Sequence, residues 1–216
     1  MCGRYLLDTE IRDIIRAYKI KSKENIENKL GDVYPSNNAP IVWNSNQRTI
    51  SHARWGFPFG FKKGIVINAK AETIMDKPMF RNSFYTSRCV IPANLYYEWK
   101  DEGGKKKVKY GIGVQNKNII SLGGIFKVSM DEKQIRQMTF VIITTEAKED
   151  IKSIHPRMPF IVEDDLLEPW LNKNTSIGGI QEILNYSPNI KLTIKSFEDQ
   201  PIKVTEDEDY QQMKMF

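Results

Sequence analysis

Arg88-Cys89-Val90-Ile91-Pro92-Ala93-Asn94-Leu95-Tyr96-Tyr97-Glu98-Trp99 is rich in β-branched and aromatic residues and reads as strand. Runs of the same character surround it, at Ile41 to Trp43, Thr49 to Trp55, Ile65 to Ala69, Val108 to Val114, Ile119 to Val128 and Met138 to Thr145. Turn signals at Asn44-Ser45-Asn46, Gly103-Gly104 and Asn116-Lys117-Asn118 separate several of them. Short strands with tight turns predict a mostly antiparallel, barrel-like sheet system that closes on itself.

Helical patterns flank these strands. Ile11, Ile14, Ile15 and Tyr18 fall at helical spacing behind Asp8 or Thr9 as caps. Further helical signals occupy Lys148 to Ile154, Glu163 to Leu171 and Gly179 to Leu184, before a last strand at Ile190 to Ile194. Tyr34 to Pro40 is rich in turn formers and predicts an irregular loop. The expectation is one α+β domain over 1–216, with helices outside the sheets and 205–216 an acidic tail carrying Glu206-Asp207-Glu208-Asp209.

With 40% hydrophobic and 27% charged residues, the chain is globular rather than disordered. Cys2 and Cys89 are too few for a disulfide framework and have no metal-ligand spacing, which predicts a cytoplasmic protein with neither metal nor cofactor. Nothing resembles a signal peptide or a membrane span. A net charge of +5 leans toward an anionic partner, and the acidic tail makes the remainder more basic still.

Several residues have reactive potential, each beside a plainer reading. Removal of Met1 would leave Cys2 with an amine and a thiol two carbons apart, both partly nucleophilic near neutral pH and able to condense with an aldehyde; the plain reading is a frayed terminus. Glu98 lies among aromatic residues, where an inward carboxyl would exchange protons near neutrality and an outward one would be ordinary. His155, between Ile154 and Pro156, sits in a stiff loop suited to a general acid. Asn68-Ala69-Lys70-Ala71-Glu72-Thr73 supplies an amide, a cation and a carboxylate, or a helix start capped by Glu72 and Thr73. Arg54-Trp55-Gly56-Phe57-Pro58-Phe59-Gly60 combines aromatic faces with the backbone freedom of glycine, and Arg4, Arg54, Arg81 and Arg88 are candidate phosphate partners; an aromatic cluster taken singly is more often core. His52, Cys89 and the Lys105, Lys106, Lys107 and Lys109 group read as a sheet histidine, a buried apolar residue and a solvated hairpin tip.

Met1-Cys2-Gly3-Arg4, Trp55-Gly56, the Asn68 to Thr73 segment, Arg88 to Ala93 running into Tyr96 to Trp99, and His155-Pro156-Arg157-Met158-Pro159 together resemble the SRAP (SOS-response-associated peptidase) family. The resemblance covers roughly 1–160. It implies strands around a central channel, the SRAP fold, and covalent capture of abasic sites in single-stranded DNA, including single/double-strand junctions, by a monomer. In that light Cys2 supplies both nucleophiles of a thiazolidine, Asn68 positions the sugar, Glu98 shuttles protons and His155 helps open the sugar. Arg4, Arg81 and Arg88 match phosphate contacts, and Trp55 belongs to a loop that wedges against bases. Lys70 stands where the family more often has arginine, keeping the charge and losing the bidentate fork. Two other readings stay open: a peptidase or amidohydrolase with an N-terminal nucleophile, and a non-catalytic single-strand binder.

Overall fold

The computed structural model describes residues 2–21, 28–59, 64–103, 107–130, 136–186 and 190–197. The acidic tail at 205–216, and Lys105 and Lys106, lie outside them.

In chain order the elements are β1 (Tyr5–Leu7), α1 (Ile11–Ala17), β2 (Gly31–Val33), β3 (Asn38–Asn44), β4 (Arg48–Trp55), β5 (Phe57–Pro58), β6 (Ile65–Val66) and β7 (Asn68–Lys70). After a 3₁₀ turn at Ala71–Thr73 come α2 (Pro78–Thr86), β8 (Arg88–Ala93), β9 (Leu95–Asp101), β10 (Lys107–Val114), β11 (Ile120–Met130) and β12 (Arg136–Glu146). The remainder comprises α3 (Glu149–Lys152), β13 (Arg157–Pro159), α4 (Leu167–Leu171), α5 (Ile177–Asn185) and β14 (Leu192–Ser196).

The expected α+β architecture is present. One sheet runs β14-β10-β9-β1-β2 and is antiparallel throughout. The other large sheet runs β11-β8-β3-β4-β12-β13, and β12 also pairs with β11, so five strands close into a barrel, while β5 and β6 form a separate two-stranded sheet. Two pairings depart from the antiparallel expectation: β4 and β7 both run parallel to β12. Closure brings backbones close at Gly124, where an added Cβ would lie 2.7 Å from the Val141 carbonyl oxygen. Any side chain there would force β11 away from β12.

The strand-like run from Arg88 to Trp99 divides at Asn94, between β8 and β9. Its side chain accepts from the Asp8 backbone N–H at 2.6 Å and donates to the Thr9 hydroxyl at 2.9 Å and the Asn118 carbonyl at 2.7 Å. Asp8 and Thr9 therefore serve this corner rather than the helix, and α1 starts with Glu10 at its cap position and no side-chain cap bond. The segment read as a loop from Tyr34 becomes strand at Asn38, because Asn38 to Pro40 pair with Arg54 to His52.

One hydrophobic cluster gathers residues of both sheets with α1, α2, α4 and α5. Trp170 is completely buried, edge-on to Phe160 at 5.2 Å, and donates its indole N–H to the Cys89 carbonyl at 2.9 Å. Burial of such a residue contributes on the order of 2–3 kcal/mol. No helix among the described residues is long and apolar enough to cross a membrane.

Candidate functional site

Cys2 reaches its position through the β1–β9 ladder. Tyr5 pairs with Tyr96 and Leu6 with Leu95, and the Tyr97 N–H donates to the Arg4 carbonyl at 2.9 Å. Continuing that antiparallel register carries Cys2 toward the Glu98–Trp99 end of β9. Both Cys2 (0% exposed) and Glu98 (2%) are buried, so neither is an outlying terminal or surface group. The Cys2 thiol makes a weak bond to the Arg4 carbonyl at 3.8 Å. Burial, and then the charge of Glu98, push its pKa up, so the resting sulfur is protonated. Burial also pushes the Glu98 carboxyl up to about 7. Such a carboxyl can give and take a proton near neutrality.

Asn68 and His155 arrive along β12. Asn68 pairs with Ile142, while Glu146 at the far end of β12 pairs with Arg157, two residues after His155. The Asn68 side chain is buried, and neither its amide oxygen nor its nitrogen has a hydrogen-bond partner among the described residues. Buried polar atoms are ordinarily satisfied, so this amide has capacity left for a polar partner. His155 is half-buried, and its Nδ1 accepts the Arg157 backbone N–H at 3.0 Å and lies 3.1 Å from the Arg157 carbonyl oxygen. Both protonation states of the ring thus have a backbone partner, and burial pushes its pKa down. Arg157 is itself gripped by Glu72, at 2.6 and 2.9 Å, with a further bond to the Thr144 carbonyl.

Trp55 joins the two halves of the site. Its ring packs 5.3 Å from that of Tyr5 and 6.1 Å from that of Phe140, and its indole N–H donates to the Ile67 carbonyl at 3.0 Å, next to Asn68. The ring is fully buried and offers no face to a base, which corrects the wedge expectation. Arg88 needs the same correction. Its guanidinium donates to the carbonyls of Trp170, Phe84, Tyr85 and Asn172 at 2.7–2.8 Å, and burial pushes its pKa down to about 10. It ties β8 to α2 and α4, with four of its five N–H donors committed to backbone carbonyls.

The remaining cations stay at the surface. Lys70 and Arg81 are exposed. Arg4 is partly exposed, 3.6 Å from Asp32 and stacked 4.3 Å from the Tyr34 ring and 5.2 Å from that of Trp99. Lys109 is no solvated hairpin tip, since its ammonium sits 3.7 Å from the Tyr97 ring. Glu72 is no helix cap, being engaged by Arg157. The sequence carries no local signal for that contact, which spans 85 residues of chain.

The model for SOS response associated peptidase (SRAP) matches residues 1–200. The chain belongs to the SRAP family. Among SRAP relatives, the abasic site processing protein YoqW of Bacillus subtilis is 35% identical over 197 residues, covering 85% of this chain and 86% of that one. The abasic site processing protein HMCES of Gallus gallus is 29% identical over 156 residues, 59% of this chain and 46% of that one. A crystal structure of a Bacteroides thetaiotaomicron protein superposes with a TM-score of 0.81 at 25% identity, covering 92% of this chain and 93% of the other. No group of three or more His, Cys, Asp or Glu that could hold a metal occurs among the described residues.

Proposed function

We propose that this chain processes abasic sites in DNA, capturing them in single strands and at single/double-strand junctions through Cys2 once Met1 is removed. The observation that carries the reading is the burial of the Cys2 sulfur within electrostatic reach of a buried carboxyl poised near 7, in a chain of this family.

A closed deoxyribose opens when C1′–O4′ breaks, with His155 giving a proton to O4′ and the O1′ hydroxyl giving its proton to Glu98. Asn68 holds the sugar with its uncommitted amide. The Cys2 amine then adds to the aldehyde carbon to form a carbinolamine. Glu98 protonates the departing hydroxyl, water leaves and an iminium remains. The Glu98 carboxylate next removes the thiol proton, and sulfur attacks the same carbon to close a thiazolidine. Glu98 ends protonated, one water is released and no electrons are exchanged. A thiol held protonated by burial suits this order, with the amine acting first and the sulfur second.

Arg4, Lys70 and Arg81 hold the phosphates. Cleavage of the Met1–Cys2 bond, by the chain itself or by an aminopeptidase, is required first. Peptidase action on other substrates finds less support, because a protonated, buried thiol is a poor acyl nucleophile. A purely non-catalytic binder would have no use for a buried carboxyl beside a thiol. Intact mass of the protein before and after mixing with abasic single-stranded DNA tests the reading. The expected product is the chain without Met1 plus the oligonucleotide minus one water; no adduct, or an adduct that survives Cys2→Ala, rejects it.

A further inference from the structure

Tyr5 and Tyr96 are directly paired across β1 and β9, and both rings are fully buried. Neither hydroxyl has a hydrogen-bond partner among the described residues. Phenylalanine would fill the same space without burying a polar atom, so two such hydroxyls in one cross-strand pair call for an explanation. Their placement supplies it. Tyr96 precedes Glu98 by two residues on the same strand, so both side chains point to one face. The Tyr96 phenol also interacts electrostatically with both the Cys2 sulfur and the Glu98 carboxyl, whereas Tyr5 interacts with Cys2 and Cys89. Tyr96 is therefore the hydroxyl that shares both partners of the proposed chemistry.

We infer that Tyr96 is a further catalytic residue of the Cys2 site, its hydroxyl donating a hydrogen bond to the oxygen on the carbon that Cys2 attacks. The inference rests on the reading given under Proposed function. At the carbinolamine the C–O bond breaks, Glu98 supplies the proton and water departs. The phenol keeps its own proton and stabilises the departing oxygen, as a fixed donor in a dry site does for developing charge. Before the sugar arrives, the hydroxyl makes no hydrogen bond to any described residue.

The test compares wild type and Tyr96→Phe, both lacking Met1, on an abasic single-stranded oligonucleotide. It follows thiazolidine formation in a single turnover, borohydride-trapped Schiff base, affinity for intact single-stranded DNA, and thermal stability. Tyr96→Phe is expected to slow both adduct and trapped Schiff base by on the order of 100-fold. Affinity for intact DNA is expected to stay unchanged and the melting temperature to stay level or rise, because an unsatisfied hydroxyl has been removed. An adduct rate within twofold of wild type overturns the inference. So does normal Schiff-base trapping with slow ring closure, or a slower rate that accompanies a fall in melting temperature. If wild type itself forms no adduct, the Cys2 reading fails and this inference fails with it; a normal wild type beside an unaffected variant rejects the role of Tyr96 alone.

Discussion

Arg157 holds Glu72 through two guanidinium bonds of 2.6 and 2.9 Å, locking the turn after β7 to the strand that follows His155. The Arg157 backbone N–H also donates to His155 Nδ1, so one residue joins the ion pair to the imidazole. The chain carbonyl of Thr144 takes a further guanidinium bond, so the clamp is anchored to β12 as well.

Glu72→Ala is expected to slow adduct formation by about tenfold or more, since small misplacements of a reacting group are costly. Stability should fall by less than about 1 kcal/mol, because the Glu72 side chain is 48% exposed. Glu72→Gln keeps one acceptor oxygen and should recover part of the rate. Single-turnover gel assays alongside thermal melts check this; a large loss of stability with an intact rate per folded molecule would count against a positioning role.

Glu98 makes folding pH-dependent. Its carboxyl stands at about 7 in the fold against an ordinary 4.5, so its contribution is fully present below 4.5 and is lost as pH rises through 7. Over that window the fold loses about 3 kcal/mol at this site. Glu98→Gln should therefore be more stable than wild type at pH 8 and not at pH 4.5, as read by denaturant titration at both values.

Arg88 is expected to behave as a structural tie. Arg88→Met strips donors from four backbone carbonyls and should cost about 3 kcal/mol of stability. The salt dependence of DNA binding by the folded variant should match that of wild type. A phosphate contact would instead lower the slope of log K against log salt by about 1.

Lys70→Ala and Arg81→Ala should each lower that slope by about 1, weakening binding equally on all sequences and leaving the melting temperature unchanged. Lys70→Arg restores a planar fork and should tighten binding. Titrations across a series of salt concentrations decide both.

Cys2, Asn68, Glu98 and His155 could be nominated from the sequence because each belongs to a short local motif, and the strand pattern was readable because alternation is local too. Asp8 and Thr9 misled the capping assignment because Asn94, far along the chain, claims both of them. The same limit explains Trp55 and Arg88. An aromatic ring and a guanidinium look alike in sequence whether they face DNA or carbonyls, and only long-range pairing turned them inward.

By itself the sequence determined the strand-rich α+β class and the family, both of which follow from near-neighbour pattern and residue type. Only the tertiary structure decided that β12 would gather β4, β7, β11 and β13, that Tyr5 and Tyr96 would bury their hydroxyls beside Cys2, and that Glu98 would stand near 7. Burial and pairing depend on which distant segments meet, and burial is what sets the proton affinity of a carboxyl and the cost of a lone hydroxyl.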